Sequence, residues 1–352
     1  MRITFVLHLF PRGPIGGFRV VYEYANRLAA TGCEVTVVHE RWRGDVREAM
    51  RDLWHGRSQP RLRAAVTWFE IDPRVRLMIV PELKPENLPP ADVTIATHWP
   101  TARLLPHVKS TPFHLVQNYD TWDGVEELHE VLKMDVPKIA VSGFLARTLE
   151  DLGNTTVTVI PNGLDHDTFQ PPTTDLPRGD TVAMLISKHP SKGFATGMKA
   201  LEQVRNKIPG LRVNAFGVRP RPGDLPEWMT YHHGLEGKTL VENVYHRSAV
   251  FLCSSSTEGW GLPAAEAMAC GTAVVSTRNG GVEDFCTHNE NGLLCDSTDS
   301  AGLAQAVTRM LEDDELRTKC VEAGYLTAAR MDWSASARSL MSFIRAFHST
   351  VS

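Results

Sequence analysis

The sequence predicts an α/β protein of two domains, each a doubly wound, mostly parallel sheet with helices on both faces. Three observations lead there. The 352 residues suffice for about two domains. Strand-like and helix-like stretches alternate from the first residue onward. A polar, proline-bearing stretch up to Gly179 then interrupts the alternation, and a second βα series starts near Thr181.

The first strand is expected over residues 2–8, followed by a loop containing Pro11-Arg12-Gly13-Pro14-Ile15-Gly16-Gly17. A helix pattern runs from about Val20 to Ala30, with Val21, Tyr24, Ala25 and Leu28 recurring on one face. Thr31-Gly32 ends it, and Glu34–Val38 reads as the next strand. Further strands are expected at Val93–Ala96, His114–Gln117 and Lys138–Val141. In the second series they fall at Val182–Ile186, Arg212–Phe216, Val250–Cys253 and Ala273–Ser276. The tail from Trp333 to His348 reads as a helix that buries Leu340, Phe343, Ile344 and Phe347.

One segment concentrates chemistry. Apolar Ala249–Cys253 leads through a serine-rich turn into Glu258-Gly259-Trp260-Gly261-Leu262-Pro263-Ala264-Ala265-Glu266. This reads as a buried strand, a glycine-hinged loop and a helix with Pro263 near its first turn. Glu258 is expected in the loop and Glu266 in the opening turn of the helix. Ligands of open α/β sheets bind beyond the C-terminal strand ends. Carboxylates there accept from sugar hydroxyls, and a helix N-terminus offers N–H groups to an anion.

Composition excludes several classes. The net charge of −4 gives no reason to expect a nucleic-acid partner. No apolar run reaches the ~20 residues of a membrane-spanning helix, and the N-terminus is too short in its apolar part for a signal peptide, so a cytoplasmic protein is expected. Cysteines 33, 253, 270, 286, 295 and 320 form no Cys-x-x-Cys pair. Buried free thiols are expected rather than disulfides or a zinc site. Residues 41–76 carry nine arginines against five acids. They read as a solvated helical insertion, with contact to an anionic acceptor or to the inner face of a membrane as the sharper alternative.

With these motifs in view, the chain resembles retaining glycosyltransferase family 4. The resemblance covers nearly the whole chain and is strongest over 245–295, where Glu258 and Glu266 fall at the family's E-x7-E spacing. Gly16-Gly17, Pro161-Asn162-Gly163-Leu164-Asp165 and Lys192-Gly193 support it in the family's order. It implies the GT-B fold: two Rossmann-like domains facing across a cleft. Residues 1–165 would take the acceptor, 166–333 the nucleotide-diphosphate sugar, and a helix over 334–352 would cross back to the first domain. The acceptor would be a carbohydrate, a lipid-linked molecule or a natural product, and no cofactor is implied.

The resemblance also assigns residues. Glu266 would hold the nucleotide ribose, and Glu258 the transferred sugar. Gly259, Trp260, Gly261 and Leu262 would offer backbone N–H groups to sugar and diphosphate. Lys192 would clamp the diphosphate. The family's arginine is missing from its place near Ser187, so Lys188 is the substitute. Gly16 and Gly17 would approach the donor phosphate from the first domain, where Arg19 stands at an often acidic position. His98 would steady the sugar, with Asn118 and Asp120 toward the acceptor. Glu258, Lys192 and His98 are thus the expected catalytic set.

Two other patterns compete. Asp165-His166-Asp167 has the spelling of a metal-binding D-x-D motif, but it follows Pro-Asn-Gly at the domain junction. Metal-independent transfer is therefore expected. Gly259, Gly261 and Ala264 fit a dinucleotide fingerprint, which makes an NADP-dependent oxidoreductase the runner-up. Its late position and the flanking glutamates count against it. A non-catalytic nucleotide-sugar-binding protein is the third reading.

Overall fold

The computed structural model describes residues 1–11, 13–41, 59–119, 121, 124–174 and 178–351. Most of the arginine-rich stretch, residues 42–58, lies outside the described residues, as does Asp120. The chain forms two compact units. The first comprises Met1–Gln117, Asp123–Pro161 and Trp333–Ser352, and the second Asn118–Trp122 and Asn162–Asp332.

The first unit holds strands β1 (Arg2–Leu7), β2 (Glu34–Glu40), β3 (Arg76–Val80), β4 (Val93–Ala96), β5 (Thr111–Val116), β6 (Lys138–Ala140) and β7 (Val157–Val159). They form one parallel sheet in the order β3-β2-β1-β4-β5-β6-β7. The central strands are buried on both faces, as parallel strands between helix layers must be. The Gly16–Ala30 helix buries Val20, Val21, Tyr24, Ala25 and Leu28. The last helix, Trp333–Val351, belongs to this unit. Its Phe343 and Phe347 lie edge-on to Phe113, with centroids 5.6 Å away in both pairs.

The second unit repeats the plan with β8 (Thr181–Leu185), β9 (Arg212–Gly217), β10 (Met229–His233), β11 (Val250–Cys253), β12 (Ala273–Thr277) and β13 (Leu293–Cys295). The order is β10-β9-β8-β11-β12-β13, again all parallel. Its core gathers Val182, Met184, Val213, Val250, Leu252 and Val275 from the sheet with Leu201, Val204, Leu303 and Val307 from the covering helices.

In both sheets the order reverses at one point, between β1 and β4 in the first and between β8 and β11 in the second. The loops leaving those strand pairs run to opposite faces and open a crevice at the C-terminal strand ends.

Two local readings change. The first helix starts at Gly16, not Val20, so the glycine pair forms its first turn rather than a loop. The N–H groups of Phe18 and Arg19 already donate to the Ile15 carbonyl, at 3.1 and 3.0 Å. Glu266 lies beyond the opening turn of the Leu262–Ala269 helix, whose first turn has no acidic residue. Of the cysteines, 253, 270, 286 and 320 are buried free thiols. Burial pushes the Cys286 and Cys295 thiols up to about 12 and about 11.

Candidate functional site

The reversal point of the second sheet brings together two residues expected to act together. After β8, the chain makes a short 3-10 turn, Pro190–Lys192, and ends it at Gly193 with φ of 61°. After β11 it runs through Ser254 and Ser255 to Glu258. Lys192 Nζ donates to both carboxylate oxygens of Glu258, at 2.7 and 2.9 Å. Ser255 Oγ donates to Glu258 Oε1 at 2.7 Å. The Glu258 side chain is 11% exposed and that of Lys192 28%. Both line a small cavity with Leu185, Cys253, Gly261 and Pro263.

The backbone fixes this arrangement. Glu258 N–H donates to Asn279 O at 2.9 Å, and Gly281 N–H donates to Glu258 O at 3.0 Å. Buried Asn279 in turn donates to Ser276 Oγ and accepts the Val282 N–H, at 3.2 and 3.1 Å. Glycine is required at Gly193, where a Cβ would sit 1.9 Å from the Ser254 carbonyl oxygen. Gly261 adopts φ of 101°, and a Cβ there would meet Val282 at 2.6 Å.

Gly261 is also the N-cap of the Leu262–Ala269 helix, with no side-chain cap among the described residues. Among those residues, too, none of the N–H groups of Gly259, Trp260, Gly261 and Leu262 donates to a backbone carbonyl. A helix start in this state offers hydrogen bonds and a partial positive charge to an anion. The Trp260 side chain does not take part. It is 4% exposed and packs on Phe285 with centroids 5.2 Å apart.

Glu266 is buried on the same helix, and its Oε2 accepts from the Tyr245 hydroxyl at 2.9 Å. Lys188 is exposed in the loop after β8. In the loop after β9, exposed Arg221 donates to the carbonyls of Leu225 and Met229 at 2.9 and 3.3 Å. Asp165 of the D-x-D spelling accepts the Asp167 N–H at 3.1 Å and so closes a local turn. Asn118 is exposed. Ser255 and Tyr245 were missed as site residues. A serine three positions before Glu258 was a readable signal, whereas the Tyr245–Glu266 contact needs the fold.

The first unit has its own crevice residues. His98 follows β4 at the reversal point, as the N-cap of the Trp99–Ala102 helical turn, and His8 follows β1. Their rings stack with centroids 4.3 Å apart. Burial lowers the His8 pKa. Next to them, His39 is fully buried, and burial lowers its pKa to about 4. Its Nδ1 lies 2.9 Å from the Leu9 carbonyl and its Nε2 3.2 Å from the Tyr22 hydroxyl. A carbonyl only accepts, so Nδ1 carries the proton and Nε2 accepts from Tyr22. Gln117 donates to the Gly17 carbonyl at 3.1 Å.

Comparison with known proteins agrees with this fold. Residues 224–327 match the family described as glycosyl transferases group 1. Phosphatidyl-myo-inositol mannosyltransferase of Mycolicibacterium smegmatis is 29% identical over 219 residues, 58% of this chain and 56% of that protein. The protein of the same name from Mycobacterium tuberculosis (strain H37Rv) is 31% identical over 231 residues, 61% of this chain and 60% of its own. The chain thus spans little more than half the length of these relatives. Among solved structures, sucrose-phosphate synthase from Thermosynechococcus elongatus superposes with a TM-score of 0.79 at 17% identity, over 99% of both chains. Anabaena Alr3699/HepE in complex with UDP-glucose gives 0.73 at 16% identity, over 98% of this chain and 100% of that one. The chain therefore has the GT-B fold, and residues 224–327 of its second unit are similar to the glycosyl transferases of group 1.

Proposed function

We propose that the chain is a retaining glycosyltransferase that moves a sugar from a nucleotide-diphosphate donor to an acceptor hydroxyl, without a metal or other cofactor. The observation that carries this reading is the meeting of Lys192 and Glu258 at the reversal point of the second sheet, beside an uncapped helix start. An ammonium, a carboxylate and N–H groups that donate to no backbone carbonyl among the described residues suit a ligand with both phosphate and hydroxyls. The dinucleotide reading leaves both glutamates without work, and no relative described above supports it.

In this reading Glu266 accepts from the ribose hydroxyls and Glu258 from a hydroxyl of the transferred sugar. The diphosphate lies against Lys192 and the N–H groups of Gly259–Leu262, with exposed Lys188 adding charge nearby. As the anomeric bond breaks, negative charge grows on the departing diphosphate. Fixed donors stabilise that charge more than they stabilise the ground state. The departing oxygen then takes the proton of an acceptor attacking from the same face. The cations and the helix start answer the phosphate charge, so the reaction needs no divalent ion.

The acceptor is taken by His98 of the first unit together with Asn118 and Asp120, which group with the second unit, while Gly16 and Gly17 approach the donor phosphate. Gly17 leaves room for a Cβ, which would make only ordinary contact with Gln117 at 3.6 Å. Its own packing therefore does not demand glycine there, which suits a ligand that does. Both relatives described above carry phosphatidyl-myo-inositol in their names, so a lipid-linked cyclitol joins carbohydrates among the candidate acceptors. Among the described residues no helix is long and apolar enough to cross a membrane. A cytoplasmic enzyme whose arginine-rich 41–76 segment meets the inner membrane face fits a lipid-linked acceptor.

The test is a thermal-shift panel of nucleotide-diphosphate sugars, followed by NMR of the product's anomeric proton. One donor should stabilise the protein and yield product of unchanged anomeric configuration in the presence of chelator. An inverted product, or activity restored only by manganese, refutes the mechanism. Stabilisation by NADPH and by no nucleotide sugar refutes the function.

A further inference from the structure

We infer that Tyr245 is a positioning residue, which sets the Glu266 carboxylate for the ribose of the bound nucleotide. The inference rests on the proposed role of Glu266 and extends it to a residue that touches no ligand itself.

The geometry has three parts. The first is the hydrogen bond, with the Tyr245 hydroxyl donating to Glu266 Oε2 at 2.9 Å between two buried side chains. A buried carboxylate aimed by a fixed donor loses rotational freedom before the ligand arrives, so binding costs less ordering.

The second part is the ring's mounting. Tyr245 is completely buried, and Phe169, Phe216 and Phe251 stand edge-on around it with centroids 5.9 to 6.4 Å away. The ring is therefore held in one orientation, and the hydroxyl inherits that position.

The third part is the backbone. Tyr245 ends a π-helical turn, Val241–Tyr245, and the His246 N–H reaches back to the Val241 carbonyl at 2.8 Å. Such turns are rare and frequently fall at functional sites, and the extra residue per turn rotates one side chain out of the α-helical phase. The Tyr245 carbonyl accepts from Thr272 Oγ1 at 2.7 Å and from the Ser248 N–H at 3.2 Å, so the turn is pinned at its end. Thr272 stands just before β12, beyond the end of the Glu266 helix, so the helix and the turn are held to one another at two points.

The variant that isolates the hydroxyl is Tyr245→Phe, which keeps every ring contact. The probes are UDP, GDP, their 2′,3′-dideoxy forms and pyrophosphate, titrated by calorimetry into the full chain. Hydrogen bonds to charged groups predict that Tyr245→Phe weakens whichever nucleoside diphosphate binds by about tenfold or more. Pyrophosphate, which has no ribose, should bind variant and wild type alike and serves as the check on folding. The dideoxy probe should also bind both alike, because the effect passes through the ribose hydroxyls. With Glu266→Ala already in place, Tyr245→Phe should cost nothing more. If Glu266→Ala abolishes nucleotide binding while Tyr245→Phe leaves it unchanged, the inference fails and the reading of Glu266 stands. Equal weakening of the dideoxy probe or of pyrophosphate also overturns it, since the tyrosine would then act on the fold at large. If Glu266→Ala itself binds like wild type, the role of Glu266 falls and the inference with it.

Discussion

Lys192 and Glu258 stand 66 positions apart in the chain, yet the lysine ammonium donates to both oxygens of the glutamate, at 2.7 and 2.9 Å. They meet because β8 and β11 are neighbours at the point where the sheet order reverses. Each answers the other's charge. A bound diphosphate would draw Lys192 toward it and free Glu258 for a sugar hydroxyl. Lys192→Met keeps most of the stem and removes the charge, and should lower kcat/KM by about 100-fold or more. The lysine is 28% exposed and partly screened, so stability should change by only about 1 kcal/mol. Steady-state kinetics and a denaturant titration on one preparation measure both. A large stability loss with little change in kcat/KM would make the pair structural.

Ser255 Oγ donates to one oxygen of Glu258 at 2.7 Å. Removing that donor should misplace the carboxylate without touching the nucleotide. Ser255→Ala is expected to lower kcat by about tenfold with donor KM nearly unchanged. Ser255→Thr keeps a hydroxyl and should restore most of the rate. Equal loss in both variants would assign Ser255 to packing.

Two glycines separate conformational from steric cost. Gly193 and Gly234 have nearly the same φ, 61° and 64°. A Cβ at Gly193 would press on the Ser254 carbonyl oxygen at 1.9 Å, whereas at Gly234 nothing lies within 4 Å. Gly234→Ala should therefore cost about 1 kcal/mol, the left-handed penalty alone. Gly193→Ala should cost about 3 kcal/mol or more and should weaken donor binding, because Lys192 is its neighbour. Thermal or denaturant melts of the two variants give the comparison. Equal costs would contradict the close approach.

His39 and His114 make the first unit sensitive to acid. Burial lowers their pKa from the ordinary 6.5 to about 4 and about 3, with the charge of Lys138 adding to burial at His114. The folded state therefore favours the neutral rings, and the unfolded chain takes up protons first as pH falls. Their contribution is complete above about pH 6.5 and is lost as pH falls toward 4 and 3. For His39 alone the loss amounts to roughly 3 kcal/mol. Hydrogen exchange of β1 and β2 amides should show opening that grows steeply below pH 6, and His39→Gln should flatten the curve. A curve independent of pH between 4 and 7 would contradict the buried neutral ring.

The fold was largely legible. Strands such as Val93–Ala96 and Val250–Cys253 stood out as short apolar runs between turn signals. The edge strands β3, β7, β10 and β13 did not. Thr230, Tyr231, His232 and His233 of β10 have no buried-strand pattern and take their shape from pairing with β9. At the site, both glutamates were readable from spacing around a glycine turn. The order of the two sheets was not, and it is what brings Lys192 to Glu258. The π-helical turn at Tyr245 left no pattern either, because its phase shift depends on bonds to Thr272 and Ser248. The start of the first helix was misread because a glycine pair looks like a loop until the Ile15 carbonyl is seen accepting from Phe18 and Arg19.

The central claim is that Glu266 holds the nucleotide and Glu258 the sugar in transfer. Donor binding and single-turnover transfer, measured on wild type, Glu266→Ala and Glu258→Ala with the nucleotide sugar found by the thermal-shift panel, test it most directly. Glu266→Ala should weaken donor binding by about 30-fold or more, and Glu258→Ala should keep it within a few-fold while losing about 100-fold or more in transfer rate. Wild-type binding and turnover in both variants would contradict the claim.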